Sequence, residues 1–247
     1  MAALKSFVSK HHETHLMIFG RGGKAREHKI EVKIEGTTLL TVKENKFLGI
    51  MLDNCLTWKS HATYLSKKIS KSIGILSRAK KFLNLSTLRQ LYFSFVFPYL
   101  SYCNVIWGHA AESTLDPIFK LQKRAIRIMT NTRKRESTKL LFQKMKILRL
   151  PEMYKFSALH FTYKFKNNLL PLPFQNFYTE NRAHHNHATR QATNLRIPLT
   201  RSKLADNFIK KTGVTLWNLY SQKMSHNMSI GSYKRELINL LLTTYSD

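Results

Sequence analysis

The spacing of the apolar residues changes near residue 59, and this change limits which folds the chain can adopt. Between residues 30 and 34, apolar and charged side chains alternate, as in a strand with one buried face. After residue 59, apolar residues recur every three or four positions, as on one face of a helix: Leu65, Ile69, Ile73 and Leu76. The sequence therefore predicts an α+β chain that is mainly α, with a small β part first.

The patterns divide the chain into three predicted parts: residues 1–58, 59–170 and 171–247. In the first, strands are expected at 16–19, 30–35, 37–42 and 46–52, with Glu35-Gly36 as a hairpin turn. Pro171 and Pro173 mark the second boundary, since proline ends helices. The third part is predicted to contain a loop at 181–193, a strand at 195–199, a short element at 214–220 and a helix at 233–243.

Four helices are predicted in residues 59–170, and their starts are placed at residues that cap helices well. Ser60 is expected to cap the first helix, Ser86 the second, and Ser113 or Thr114 the third. Pro98 is expected to interrupt the second helix, and the fourth is expected over about 152–166. The third helix is predicted to bury one stripe: Ile118, Leu121, Ala125 and Ile128.

The strongest feature of the composition is the net charge of +27, which favours a polyanionic partner such as nucleic acid. Residues 59–150 hold 19 Lys+Arg against 3 Asp+Glu, so the excess lies on the predicted helices. The alternative is a solvated basic face without a ligand. If the apolar stripes turn inward, seven cations should face outward and contact nucleic acid: Lys67, Lys68, Lys71, Lys120, Lys123, Arg124 and Arg127. Few aromatic residues interleave with them, which favours phosphate contact over base stacking.

Catalytic and metal-binding patterns are weak in this chain. Metal-dependent phosphoryl transfer uses two or more carboxylates around Mg²⁺, and no two of the 14 acidic residues are adjacent. Asp53 is expected to be a turn or helix-start residue. The glycine-rich stretch at 20–24 lacks the spacing of a phosphate loop, and the histidines at 11–15 and 184–187 lack zinc-site spacing. We therefore predict no metal and no cofactor in this chain.

Two further observations bear on where the chain acts. No apolar run reaches eighteen residues, which argues against a membrane span. The two cysteines, Cys55 and Cys103, are too few for a disulfide framework and indicate a reducing, intracellular compartment such as the nucleus or the cytoplasm.

Five blocks of sequence, in order, resemble a known family. Residues 47–61 match the pattern F-L-G-I-x-L-D-x-x-L-x-W-x-x-H, and residues 91–108 match a run that contains V-x-P-x-L-x-Y and ends in W-G. Residues 121–128 are L-Q-K-R-A-I-R-I, and the blocks L-R-x-P and L-W-N follow at 195–198 and 216–218. Over about 14–243 the chain resembles the C-terminal portion of a non-LTR (LINE-type, jockey-like) retrotransposon reverse transcriptase.

The resemblance implies part of a right-hand polymerase. Residues 1–58 would be a remnant of the palm, 59–170 a helical thumb that holds the template–primer duplex by its backbone, and 171–247 a C-terminal α/β region. Phe47, Leu48 and Gly49 would be primer-grip-like. The partner would be RNA or an RNA–DNA hybrid, contacted through phosphates and not through a membrane.

The catalytic aspartates of that family lie in an aromatic-x-D-D hairpin and an earlier strand, and this chain lacks both motifs. Mg²⁺ would therefore belong to the missing palm. The hypothesis is a truncated, non-catalytic fragment of an RNA-directed DNA polymerase that binds nucleic acid without sequence preference. The alternatives are a basic module retained for binding alone, a polymerase completed by another chain, and a pseudogene product. Phe47, Leu48 and Ile50 are expected to be core residues.

Overall fold

The computed structural model describes residues 14–20, 31–34, 36–133, 136–183, 192–201, 203–224 and 228–243. The chain forms two units, Met1–Tyr64 and Leu65–Asp247. The predicted second and third parts therefore lie largely in one unit. Three sequence patterns fall wholly or partly outside the described residues: the histidines at 11–15, the glycines at 20–24 and the histidines at 184–187.

Short strands form the described part of the first unit. Strand β1 (His15–Leu16) pairs in parallel with β4 (Leu40–Thr41), and β2 (Lys33–Ile34) pairs antiparallel with β3 (Thr37–Thr38). Strand β5 (Glu44–Phe47) forms an antiparallel hairpin with β6 (Ile50–Asp53). The prediction of one strand over 46–52 is wrong, because the chain reverses at Leu48-Gly49, where both residues have a positive φ, as a type I′ turn requires.

The rest of the described chain is mainly helical, which confirms the predicted fold class. Helix α1 (Lys59–Ala79) contains the boundary between the units. The helices that follow are α2 (Leu85–Phe95), α3 (Phe97–Ser101), α4 (Asn104–Trp107), α5 (Glu112–Thr130), α6 (Lys139–Lys144), α7 (Leu150–Lys166), α8 (Lys203–Asn207), α9 (Ile209–Tyr220) and α10 (Ile230–Thr243). None of the described helices is long and apolar enough to cross a membrane.

The apolar stripes place the core of the second unit. Leu65, Ile69, Ile73 and Leu76 of α1 are all buried, as predicted. The predicted cap of α2 is wrong by two residues: Asn84 accepts the backbone N–H of Thr87 at 2.9 Å, and Ser86 lies inside the helix. The helix is interrupted before Pro98, as predicted: α2 ends at Phe95, and Pro98 lies in the first turn of α3, where its missing N–H needs no helical partner.

Helix α5 is rotated relative to the predicted stripe. It begins at Glu112, so neither Ser113 nor Thr114 caps it, and Thr114 is buried in the first turn. Ile118 and Ala125 are buried as predicted, whereas Leu121 and Ile128 are half-buried. The buried side is completed by Gln122, Ile126 and Met129. The core therefore lies one position further round the helix than the predicted stripe.

Helix α7 packs against helices from both sides of it in the chain: α3 and α4 before it, and α9 and α10 after it. The Tyr163 and Tyr233 rings stack with centroids 3.9 Å apart, and Tyr163 Oη donates to the carbonyl of Met228 at 2.6 Å. The predicted strand at 195–199 is wrong. Only Leu195 forms a β-bridge, with Glu180, and the side-chain amide of Asn218 bonds both the N–H and the C=O of Leu195 at 3.1 and 2.8 Å.

Candidate nucleic-acid interface

A groove of about 620 Å³ lies between the end of α1 and one flank of α5 in the second unit. Five cations line this basic groove: Lys80, Lys120, Lys123, Arg124 and Arg127. Three apolar residues of α5 also line the groove: Pro117, Leu121 and Ile128. The groove therefore combines cationic and apolar lining residues.

The repeat of the helix explains why these residues share a surface. Pro117, Leu121, Arg124 and Ile128 are spaced by four, three and four residues, so they form one line along α5. Gln122 and Ala125 belong to the adjacent line, which faces the core and is fully buried. Leu121 and Ile128 were predicted to be core residues, and they instead sit at the edge of the core, where the groove begins.

Lys80 was not among the predicted binding residues. Its backbone N–H donates to the carbonyl of Leu76 at 3.0 Å, so the chain is still helical at this point. Leu76 is the last buried residue of the α1 stripe, and Lys80 follows it by four residues on the same face. The continuation of the stripe by a lysine is the sequence signal that identifies Lys80.

The five cations differ in how far they are already engaged. Lys120 forms an ion pair with Asp116 at 2.6 Å, and the Lys123 ammonium lies 4.2 Å from the centre of the Phe119 ring. Arg127 donates to the carbonyl of Glu136 from Nη2 at 2.8 Å and from Nε at 3.3 Å. The side chains of Lys80 and Arg124 form no ion pair or hydrogen bond with other residues that the structure describes.

Four of the seven predicted cations line the groove, namely Lys120, Lys123, Arg124 and Arg127. The remaining three lie on α1, where Lys67 and Lys71 are exposed and Lys68 is half-buried, and they do not line the groove. The structure thus separates the predicted set into a groove group and an α1 group.

Gln122 lies on the buried face of α5 and links this helix to the start of α7. It is fully buried, and its Nε2 donates to Tyr92 Oη at 3.0 Å and to the carbonyl of Leu148 at 2.9 Å. Its Oε1 accepts the N–H of Leu150 at 2.9 Å. Leu150 is the first residue of α7, where backbone N–H groups lack helical partners, so α5 caps α7 through this side chain. Sequence reasoning missed this role because Gln122 lies among cations.

The primer-grip-like residues Phe47, Leu48 and Gly49 lie at the tip of the β5–β6 hairpin. Phe47 and Leu48 expose 62% and 74% of their surface, and Ile50 exposes 6%. The prediction of core positions is therefore confirmed for Ile50 and wrong for Phe47 and Leu48. A two-stranded ribbon has no second layer over its tip. Leu48 has φ of 46°, which is uncommon for a side chain with a Cβ.

Asp53 organises the connection from the hairpin to α1. Its carboxylate accepts the backbone N–H groups of Cys55 at 3.2 Å, Thr57 at 2.9 Å and Trp58 at 2.8 Å. The prediction of a turn or helix-start residue is confirmed. Within the same unit, His61 Nδ1 accepts the N–H of Met51 at 3.3 Å, and burial lowers the pKa of His61 to about 4. His61 is thus held as the neutral form near pH 7.

Among the residues that the structure describes, no group of three His, Cys, Asp or Glu side chains lies close enough to hold a metal ion. The arrangement with the clearest chemistry in the described chain is therefore the basic groove.

Comparison with known proteins finds similarity over part of the chain. Over 100 residues the chain is 34% identical to the RNA-directed DNA polymerase from mobile element jockey of Drosophila funebris. Over 103 residues it is 32% identical to the "Probable RNA-directed DNA polymerase from transposon BS" of Drosophila melanogaster. Over part of its length the chain is similar to RNA-directed DNA polymerases of mobile elements. The resemblance to non-LTR reverse transcriptases is thereby confirmed.

The similarity is partial on both sides. The jockey match covers 39% of this chain and 11% of the relative, and the BS match covers 40% and 11%. A third relative, the "Probable RNA-directed DNA polymerase from transposon X-element" of Drosophila melanogaster, is 34% identical over 89 residues, which is 34% of this chain and 10% of the relative. The chain therefore matches about a tenth of the length of these curated polymerases. No protein-family model and no solved structure matches it.

Proposed function

We propose that this chain is the nucleic-acid-binding part of an RNA-directed DNA polymerase of a mobile element, and that it binds RNA or an RNA–DNA hybrid through phosphates. The observation that carries the proposal is the convergence of five cations on one groove in a chain of net charge +27. The proposal assigns binding to these residues and leaves catalysis to the carboxylates of a palm domain. The α1 lysines, Lys67, Lys68 and Lys71, would extend the cationic surface outward.

The chemistry of the five groove cations favours recognition of phosphates over recognition of bases. Lysine and arginine contact phosphate oxygens through charge-assisted hydrogen bonds, and these contacts position a nucleic acid without reading its sequence. Each neutralised phosphate releases counterions, so log affinity falls against log salt with a slope of about −0.9 per contact. Because five cations line the groove, we expect a slope of about −4 to −5 on an RNA–DNA hybrid.

The test measures that slope by fluorescence anisotropy on a labelled hybrid from roughly 50 to 300 mM salt. The double variant Lys80→Ala/Arg124→Ala removes the two groove cations whose side chains have no partner among the described residues. It should flatten the slope by about 2, roughly one unit per lost contact. The matched variant Lys144→Ala/Lys234→Ala removes the same charge from exposed positions outside the groove and should change the slope by less than about 1.

Equal slopes for the two double variants would show that total charge, and not the groove, determines binding. The absence of binding at the lowest salt would reject the proposal altogether. The variant Lys67→Ala/Lys71→Ala measures how far the surface extends along α1. It is expected to flatten the slope by an amount between those of the other two variants.

A further inference from the structure

The apolar residues of the basic groove bear on which form of nucleic acid it accepts. Pro117, Leu121 and Ile128 line it together with the five cations. A duplex presents phosphates and sugars on its outside and keeps the faces of its bases stacked inside. A duplex laid on the groove would offer phosphates to the cations and no partner to the apolar lining residues. An unpaired strand offers both phosphates and exposed base faces, so its chemistry matches both surfaces.

A highly exposed aromatic ring follows the groove residue Lys80 by two positions. Phe82 exposes 86% of its surface, more than any other aromatic residue described. Its backbone is held, since its N–H donates to the carbonyl of Ala79 at 3.0 Å. Covering an apolar ring of this size is favourable. Phe82 is not a lining residue of the groove, but only Lys81 separates it from the lining residue Lys80. Aromatic rings near cationic surfaces are platforms on which unpaired bases stack.

We infer that the basic groove takes an unpaired segment of nucleic acid, such as a single-stranded overhang or template, in preference to a duplex. In this arrangement the phosphates contact Lys80 and Arg124, base faces cover Leu121 and Ile128, and a neighbouring base stacks on Phe82. The inference rests on the proposed function and narrows it to one class of substrate. Bases would be held by their faces, so the preference for unpaired strands requires no preference for sequence.

The experiment compares three labelled probes of equal length at one salt concentration: a single-stranded RNA, a blunt RNA–DNA hybrid, and the same hybrid with a single-stranded overhang. The single strand and the overhang hybrid should bind at least about tenfold more tightly than the blunt hybrid, since stacking one base contributes about that factor. The variant Phe82→Ala should remove about tenfold of the affinity for the two probes with unpaired bases. It should leave the salt slope and the blunt-hybrid affinity unchanged.

Two controls separate stacking from charge and from folding. Leu172→Ala truncates another apolar side chain, 76% exposed and outside the groove, and should leave all three affinities unchanged. Arg124→Ala should weaken all three probes and flatten the slope, because it removes a phosphate contact. Phe82 is exposed, so its truncation should preserve the melting temperature. If the melting temperature falls, Phe82→Leu replaces it and should still lose the stacking contribution.

The outcomes distinguish this inference from the function on which it rests. Equal binding of the blunt hybrid and the single strand, with no effect of Phe82→Ala, would overturn the preference for unpaired strands and leave phosphate binding intact. No binding of any probe at the lowest salt would overturn both. A helical peptide of leucine and glutamate also combines apolar and anionic surface. Displacement of the RNA by that peptide at lower concentration than by unlabelled RNA would assign the groove to an acidic protein segment instead.

Discussion

Two of the family-like blocks of sequence, residues 47–61 and 121–128, both bury polar side chains but differ in the large side chains that they expose. In the first block, Asp53 and His61 are buried and bonded to backbone groups, and the apolar Phe47 and Leu48 are exposed. In the second, Gln122 is buried and bonded to backbone groups, and the exposed flank carries cations.

The shared part of this pattern concerns folding. A buried polar side chain is retained at low cost only when its partners are fixed, and in both blocks those partners are backbone groups at a chain reversal or a helix start. The part that differs concerns binding. Cations recognise phosphates, whereas an apolar hairpin tip is suited to sugars, base faces or a protein surface. Mutations of the buried group should therefore change stability, and mutations of the exposed group should change binding.

The largest effect is expected at Gln122. Gln122→Met keeps the side-chain length and removes the amide, which leaves the Leu148 carbonyl and the Leu150 N–H without this partner inside the protein. Each buried polar group that loses its hydrogen bond costs about 1–3 kcal/mol, so the free energy of unfolding should fall by about 3 kcal/mol. Urea denaturation followed by tryptophan fluorescence measures the change, since Trp107 is buried in the same unit.

The matched control is Arg124→Met. It introduces methionine two positions further along α5 than Gln122→Met does, on the exposed side of the helix. It should change the free energy of unfolding by no more than about 0.5 kcal/mol while weakening nucleic-acid binding. If both variants destabilised the protein equally, the division of α5 into a folding face and a binding face would be wrong.

The hairpin block has a buried polar residue that titrates, so pH tests its role. Burial lowers the pKa of His61 from 6.5 to about 4 in the folded protein, so the unfolded chain takes up a proton first as the pH falls. The contribution of the neutral, buried His61 to the free energy of unfolding is complete above about pH 6.5 and is lost progressively between pH 6.5 and pH 4. A shift of this size corresponds to at most about 3 kcal/mol of unfolding free energy.

Unfolding at a series of pH values, wild type beside His61→Asn, measures that contribution. Asparagine offers an acceptor for the Met51 N–H and does not titrate, so the variant should lose less stability between pH 6.5 and pH 4. His160 has a pKa lowered to about 4 by burial and by Lys234 and Lys164, and it remains in both proteins. The difference between the two curves therefore isolates His61. Parallel curves would mean that water reaches the imidazole in the folded state.

Periodicity was sufficient to predict α1 and α10, because each buries a stripe of aliphatic or aromatic residues. The interpretation of residues 195–199 as a strand was wrong. Residues 195–199 have the composition of a strand, but the Asn218 amide takes the hydrogen bonds of Leu195. Periodicity also failed at Leu48-Gly49, because leucine rarely occupies the first position of a tight turn, and the reversal was hidden within an apolar run.

The candidate site shows the same limit. Charge counting located the cations of α5, since each lies off the buried stripe. It did not separate Arg124, which lines the groove, from Lys67, which does not, because that difference depends on how α5 packs beside the end of α1. The apolar residues of the groove were also not predicted. Leu121 and Ile128 match the spacing of a core stripe, and only the packing shows that they are half-buried and line the groove.

The smallest effect is expected at the tip of the hairpin, where stability and binding should change in opposite directions. Leu48 has φ of 46°, a left-handed conformation that asparagine adopts more readily than leucine, and Asn-Gly is the preferred pair for a type I′ turn. Leu48→Asn should therefore stabilise the hairpin by about 0.5–1 kcal/mol and slow hydrogen–deuterium exchange of the amides in β5 and β6. Leu48→Ala removes the apolar side chain but keeps the left-handed strain, so it should not slow exchange.

If the exposed tip contacts nucleic acid, as its primer-grip-like pattern suggests, both variants should weaken binding to an RNA–DNA hybrid. Slower exchange with unchanged binding in Leu48→Asn would instead mean that the tip does not contact nucleic acid.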